Sequence, residues 1–323
     1  MCKNDTIYVA GASGLVGSAF VRRLKKHGYK NVLTDRVELF DTNEIDNYLI
    51  VNRPKWIIMC AARVGGIGAN SRSNHGFLTD NLQMELNLIN GALKRQIPNF
   101  LFLGSSCIYP KDSKTPIKPH QLLSARLEST NEGYALAKIC GIKLCQFIRR
   151  EYGLSYHSIM PCNLYGPNDN YDLENCHVLP ALIRKVHECY INNVRCFELW
   201  GTGNPLREFL YSDDLADAGI MLMERISLSK ITREYLPDIV NIGSGKEISI
   251  LNLAYHIIDA IRECRHESWS PMIVCNTDKP DGVYSKLMDS SVIKDYGWKP
   301  VTSLTEGIRK TYKDTMANMC MSK

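Results

Sequence analysis

The sequence has no apolar run approaching the roughly 20 residues needed to cross a bilayer. Its polar opening, Met1-Cys2-Lys3-Asn4-Asp5, lacks the apolar core of a secretory signal. No C-x-x-C pair occurs among its 12 cysteines, which argues against structural zinc and a disulfide framework. Several of them, such as Cys60 and Cys162, sit inside apolar runs as small buried hydrophobes do. These absences lead us to expect a cytoplasmic protein with no membrane segment and no metal. A Lys/Arg block and a basic–aromatic stripe are also missing, and 39 basic against 34 acidic residues leave a net charge of +5. Nucleic acid is therefore not an expected partner. The mild basic excess suits small anionic ligands or is simply a weakly basic surface. Internal repeats and low-complexity linkers are absent as well. What remains is a 323-residue chain, 45% hydrophobic and 23% charged, with enough length for a substantial core in one large or two modest domains.

Short apolar runs at 6–10, 32–35, 55–62, 99–105 and 156–163 have the length and character of fully buried strands. Between them lie amphipathic stretches, such as Leu15, Ala19, Phe20 and Leu24, or Leu82, Leu86, Ile89 and Leu93. Buried strands alternating with helices predict an α/β fold, a doubly wound parallel (Rossmann) sheet built from right-handed βαβ units. After residue 163 the texture changes, with Asn, Pro and Gly clustered around Gly166-Pro167-Asn168-Asp169. We expect a nucleotide-binding domain over 1–165 with a returning segment near 212–245, because 239–242 again reads as a core strand. A smaller α/β substrate-binding domain is expected over 166–211 and 246–323. Ligands should sit between them, beyond the C-terminal ends of the strands.

The first strand runs into Gly11-Ala12-Ser13-Gly14-Leu15-Val16-Gly17 and then a helix. Glycine permits the tight turn and a close approach of backbone to a pyrophosphate, while the helix start offers unpaired N–H groups and a positive dipole end. Three spaced glycines alone are weak, but directly after a buried strand and opening a βαβ series they mark a dinucleotide site. The second strand ends near Asp35-Arg36. An acid there grips the ribose 2′-OH of NAD and an arginine accommodates the 2′-phosphate of NADP, so the local signal is divided.

Tyr134-Ala135-Leu136-Ala137-Lys138 puts a tyrosine and a lysine at i and i+4 on one helical face. A neighbouring ammonium stabilises phenolate and so lowers a phenol's pKa, which makes the pair suited to proton transfer near neutrality. The spacing proves nothing by itself. Its weight comes from following the strand that ends in Gly104-Ser105-Ser106-Cys107, whose end points into the cofactor cleft, so Ser105 can share a substrate oxygen with Tyr134.

The glycine fingerprint, Ser105, Tyr134 and Lys138 together resemble the extended short-chain dehydrogenase/reductase family. Longer stretches resemble the branch of that family that makes GDP-L-fucose: Ala61-Ala62-Arg63-Val64-Gly65-Gly66-Ile67, Leu103-Gly104-Ser105-Ser106-Cys107-Ile108-Tyr109-Pro110, Asn163-Leu164-Tyr165-Gly166-Pro167-Asn168-Asp169-Asn170 and His177-Val178-Leu179-Pro180. Trp200-Gly201-Thr202-Gly203-Asn204-Pro205-Leu206-Arg207-Glu208-Phe209 and Lys279-Pro280-Asp281-Gly282 do so too. The resemblance implies a GDP-sugar substrate, GDP-4-keto-6-deoxy-D-mannose, epimerised at C3 and C5 and reduced at C4 with NADPH. It implies Cys107 and His177 as the acid/base pair, Tyr134 as proton donor to the C4 oxygen, Lys138 as its tuner and ribose ligand, and Ser105 as a hydrogen-bond partner of that oxygen. Thiol and imidazole both titrate within reach of pH 7, as an epimerisation requires. Gly11, Gly14, Leu15, Val16, Gly17, Arg36, Ala61, Lys138, Asn163 and His177 would then hold NADPH. Ser13 stands where some relatives carry an arginine, which leaves Arg36 a larger share of the NADP preference.

For the GDP diphosphate, Arg207 and Lys279 are candidates, although either could pair instead with Asp213 or Asp281. Lys185 stands where relatives have an arginine, and it lacks the bidentate fork. Trp200 could stack on base or sugar, or be a core residue. A homodimer is implied, with helices near 80–94 and 134–150 pairing across subunits. Rival readings are a 4,6-dehydratase, which would want Thr-Asp-Glu in place of Ser105-Ser106-Cys107, a 4-epimerase that retains NAD, and a non-catalytic NADP-binding regulator.

Overall fold

A computed structural model describes residues 1–232, 235–266, 268–279 and 281–321. In chain order the elements are β1 (Ile7–Ala10), α1 (Leu15–Lys26), β2 (Val32–Leu33), α2 (Thr42–Asn52), β3 (Trp56–Met59), α3 (Ile67–Arg72) and α4 (Asn74–Lys94). Then come β4 (Asn99–Leu103), α5 (Glu132–Tyr152), β5 (Ser155–Pro161), β6 (Asn163–Tyr165), α6 (Val178–Ile191), β7 (Cys196–Trp200) and β8 (Leu206–Tyr211). The chain ends with α7 (Ser212–Thr232), β9 (Ile239–Ile242), β10 (Glu247–Ser249), α8 (Ile250–Arg265), β11 (Met272–Asn276), α9 (Ser291–Asp295) and α10 (Leu304–Met321).

The main sheet runs β2-β1-β3-β4-β5-β9 and all its pairings are parallel. Every residue of β1, β3, β4 and β9 is buried, which is why these strands read as unbroken apolar runs rather than alternating ones. Helices cover both faces, with α1 packed on α7 and α4 packed on both α5 and α2. The doubly wound α/β class expected from the sequence is what forms. Strand order reverses between β1 and β3, because β2 lies to one side of β1 and β3 to the other. That switch point opens a crevice beyond the strand ends, the position where such sheets bind ligands.

Two smaller sheets follow, β10-β8-β6 and β11-β7. One hydrophobic cluster fills the main sheet and its helices. A second gathers Leu182, Val186, Phe197, Phe209, Ile257, Ile261 and Ile308 from α6, β7, β8, α8 and α10. β6 follows directly on β5 in the chain, and β8 runs directly into α7, so both connections tie the small sheets to the main one.

Candidate active site

The nucleotide cradle is set by backbone sterics. Gly11 follows β1 with φ +81, in the left-handed region that glycine tolerates. A Cβ there would lie 2.7 Å from the Ala61 backbone nitrogen, just past the end of β3, so the two strand exits touch at the switch point. A Cβ on Gly17 would come within 2.0 Å of the Gly11 carbonyl oxygen, which lets α1 start tight against the loop. Gly14 is the N-cap of α1, with extended backbone and no side chain to satisfy the first N–H groups. Leu15 and Val16 therefore begin a helix whose amide donors and positive dipole end remain available to an anion. A dinucleotide diphosphate fits this cradle. Beyond β2, Asp35 accepts a hydrogen bond from the Tyr48 hydroxyl at 2.7 Å, while Arg36 is exposed and has no ion pair among the described residues. Of the two, Arg36 is the one with its charge unspent.

β4 delivers Ser105 and Cys107 to the same rim. Ser105 caps a short 3₁₀ turn (Ser106–Ile108), its Oγ accepting from the Cys107 N–H at 3.1 Å. Tyr134, in the first turn of α5, lies near enough to Ser105 for that hydroxyl to act on its pKa. Ser105, Cys107 and Tyr134 are thus one group. The phenol's pKa is not lowered here. Burial pushes it up first, and negative charge at Cys107 and Glu85 pushes the same way, against the Ser105 hydrogen bond. Lys138 lies one turn on, with its Nζ 5.9 Å from the Tyr134 ring centre, but its ammonium is paired with Glu85 of α4 at 3.1 Å.

His177 is the N-cap of α6. The residue keeps exposed surface, yet the surrounding protein disfavours the imidazolium, and this desolvation lowers its pKa. The Gly65-Gly66 turn seats it from behind: the Gly66 N–H donates to the Asn175 carbonyl at 2.8 Å, and a Cβ on Gly66 would lie 2.4 Å from the Cys176 oxygen. No hydrogen bond among the described residues joins His177 to the Ser105–Tyr134 group. Asn163 begins β6 and donates from Nδ2 to the Glu208 carbonyl at 3.0 Å.

The remaining candidates form a second cluster. Trp200, at the end of β7, is 57% exposed, so it is not a core residue. Lys185 and Lys279 carry their ammonium groups 5.8 and 5.3 Å from its ring centre. Lys185 also donates to the Glu198 carbonyl at 2.8 Å, and partial burial lowers its pKa. Pro280 of the same motif lies outside the described residues. Arg207 is half-buried on β8 and donates from Nη1 to the carbonyls of Leu206 and Val283. Neither carboxylate weighed as its partner is taken by it. Asp213 binds Arg22, and Asp281 accepts from the Thr202 N–H and hydroxyl. Burial lowers the Arg207 pKa, with Glu247, Cys107 and Asp281 acting in the other direction.

Two residues at this site were not foreseen from sequence. Asn131, at the start of α5, offers no cap to its own helix and donates instead from Nδ2 to the Cys107 sulfur at 3.3 Å. Glu85 had a visible signal. It is a charge on the row Phe77, Asn81, Glu85, Leu88 and Ala92, which is the buried face of α4.

Comparison with known proteins fits this geometry. Residues 7–243 match the model of the NAD dependent epimerase/dehydratase family. The chain is 45% identical to a GDP-L-fucose synthase of Sinorhizobium fredii, covering 97% of this chain and 96% of that one. It is 46% identical to GDP-L-fucose synthase 1 of Arabidopsis thaliana, covering 98% of this chain and 95% of the relative. Among solved structures, the GDP-mannoheptose C4 reductase of Campylobacter jejuni, solved with NADP bound, superposes with a TM-score of 0.86 at 30% identity, over 98% and 99% of the two chains. A parallel sheet with a glycine cradle at its switch point, a Ser–Tyr–Lys group beside it and matches of this extent lead to one assignment: the chain belongs to the NAD dependent epimerase/dehydratase family.

Proposed function

We propose that this protein converts GDP-4-keto-6-deoxy-D-mannose into GDP-L-fucose by epimerisation at C3 and C5 followed by NADPH-dependent reduction at C4. The observation that carries the reading is the gathering of Ser105, Cys107 and Tyr134 at one strand end: Ser105 Oγ accepts from the Cys107 N–H, and both residues act on the Tyr134 phenol. The identity to GDP-L-fucose synthases over nearly the whole chain supports it. Gly11, Gly14, Leu15, Val16 and Gly17 would hold the diphosphate of NADPH and Arg36 its 2′-phosphate, with Ala61, Lys138, Asn163 and His177 toward the nicotinamide end. When bound, NADPH supplies the hydride that reduces the C4 carbonyl carbon.

The C4 ketone acidifies the protons at C3 and C5, and Cys107 and His177 exchange them, one accepting while the other donates. A His177 kept neutral by desolvation suits the accepting role near pH 7. Tyr134, whose burial holds its proton on the phenol, then protonates the C4 oxygen while Ser105 hydrogen-bonds that same oxygen. Trp200 offers a face for the guanine or the sugar between Lys185 and Lys279, and Arg207 adds charge for the diphosphate.

The division into an NADP-binding unit (1–165 and near 212–245) and a substrate-binding unit (166–211 and 246–323) belongs to the same reading. So does a homodimer, to which α4 and α5 would bring Leu86, Leu136 and Phe147, apolar side chains that are exposed on these helices. A cytoplasmic location accords with the eleven cysteines whose side chains are described, all of them free. No described helix is long and apolar enough to cross a membrane.

The test is a pair of variants. Cys107→Ser and His177→Ala should lose both product formation and solvent-deuterium incorporation into the keto sugar, with NADPH still bound. Wild-type turnover in either would remove that residue from the chemistry.

A further inference from the structure

Lys138 reaches the site from inside the protein. Its side chain is 2% exposed and so is that of Glu85, and the two meet at 3.1 Å between Nζ and Oε1. The ammonium also lies 4.8 Å from the centre of the Phe102 ring on β4. A buried ammonium needs a counter-charge, and among the described residues only Glu85 supplies one; burial raises that carboxyl's pKa, and the Lys138 ammonium acts against the rise. The other titratable groups around the pair are Cys60 beyond β3, Tyr134, Cys140 and Cys145 on α5, and Cys107, which acts on Tyr134. Burial pushes Cys60, Cys145, Cys140 and Tyr134 all upward, so these groups face the pair as neutral thiols and phenol.

Neither Glu85 oxygen has any hydrogen-bond partner besides Lys138 among the described residues. The carboxylate occupies a slot cut for it. A Cβ on Gly141, one turn past Lys138, would stand 2.8 Å from Oε2 and 2.4 Å from the Phe102 ring. Nothing else on the buried face of α4 is charged. The slot, the isolation of the carboxylate and its single partner make this more than an incidental ion pair.

We propose that Glu85 is a positioning residue for the C4 reduction: it supplies the counter-charge that fixes the Lys138 ammonium beside Tyr134, and so sets the alkaline limit of the reaction. The inference rests on the assignment of Tyr134 and Lys138 to reduction given above. Two effects act in the same direction. Without the carboxylate, the buried ammonium is left with no counter-charge to hold it in place. The negative charge of Glu85 also helps to hold the proton on Tyr134, which must be protonated to donate. Epimerisation through Cys107 and His177 does not use Lys138, so it should be spared.

The experiment compares Glu85→Gln and Glu85→Asp with wild type in the full enzyme. Each is followed by the pH profile of kcat for NADPH oxidation and, separately, by solvent-deuterium incorporation. For Glu85→Gln the alkaline limb should move down by about one pH unit or more, roughly a tenfold loss at the alkaline end, with deuterium incorporation within about twofold of wild type. Glu85→Asp keeps the charge one methylene further back. It should restore the wild-type alkaline limb at a kcat several-fold lower, and it decides the question if the Gln variant does not fold. An unmoved alkaline limb in Glu85→Gln overturns the proposal, as does equal loss of exchange and reduction, or wild-type kcat in Glu85→Asp. Tyr134→Phe serves as the control: full reduction by that variant would remove the underlying assignment itself, whereas its loss together with a wild-type Glu85→Gln profile would remove only the role of Glu85.

Discussion

Gly14 and Gly17 belong to one fingerprint, but the structure separates what each does. A methyl on Gly17 would sit 2.0 Å from the Gly11 oxygen and 2.6 Å from its carbon. Both are backbone atoms that cannot rotate aside, so the start of α1 or the loop must move by more than an ångström. Overpacking of that kind costs about 3 kcal/mol, the upper end of its usual range. A loss of about 3 kcal/mol lowers Tm by about 4 °C in a chain of this size. If the loop alone yields, the same energy appears as an NADPH Kd raised about a hundredfold. Gly14 differs. Its φ is −79, and a methyl there meets nothing nearer than the Gly11 oxygen at 3.7 Å. Gly14→Ala should therefore melt as wild type, while on the proposed placement of the diphosphate at the helix start the added methyl should crowd it and weaken NADPH about tenfold or more. Thermal melting without NADPH and a fluorescence titration with it measure the two effects apart. A Gly17→Ala protein that melts and binds as wild type would refute the steric argument. A Gly14→Ala protein with unaltered NADPH affinity would refute the placement of the diphosphate.

Arg36, exposed and without an ion pair among the described residues, should govern the choice of cofactor. Arg36→Ala is expected to raise KM for NADPH about tenfold or more while leaving KM for NADH nearly unchanged, and equal effects on both would take Arg36 out of the site. Asp169 offers a pH test, because burial raises its carboxyl to about 7 and one oxygen has no partner. Its folded-state pKa lies above the unfolded one, so the folded form holds the extra proton and stability falls as pH rises from about 4 to about 7. Asp169→Asn removes that penalty: Tm should rise relative to wild type at pH 8 and match it near pH 4. An equal change at both pH values would show that ionisation of Asp169 is not the cause.

The parts of this protein legible in sequence are those fixed by local pattern. Runs at 6–10, 55–62, 99–105 and 239–242 contain β1, β3, β4 and β9, because strands buried on both faces must be continuously apolar. The glycines that a cradle demands, and a Tyr–Lys pair one helical turn apart, are likewise local. Partners brought by distant segments were not legible. That Asp35 is engaged by Tyr48, that Arg207 uses carbonyls rather than Asp213 or Asp281, and that Asn131 faces Cys107 all depend on tertiary placement. The expectation that Lys138 lowers the Tyr134 pKa came from considering one helix alone. Burial and the competing charge of Glu85, from another helix, turn the phenol the other way.

The most direct test of the central claim is to incubate the purified protein with GDP-4-keto-6-deoxy-D-mannose and NADPH, follow nicotinamide absorbance, and identify the product by NMR. The account predicts NADPH oxidation with GDP-L-fucose as product. GDP-D-rhamnose would leave a reductase without epimerisation and contradict the role of Cys107 and His177, and no NADPH oxidation by a folded preparation would contradict the assignment as a whole.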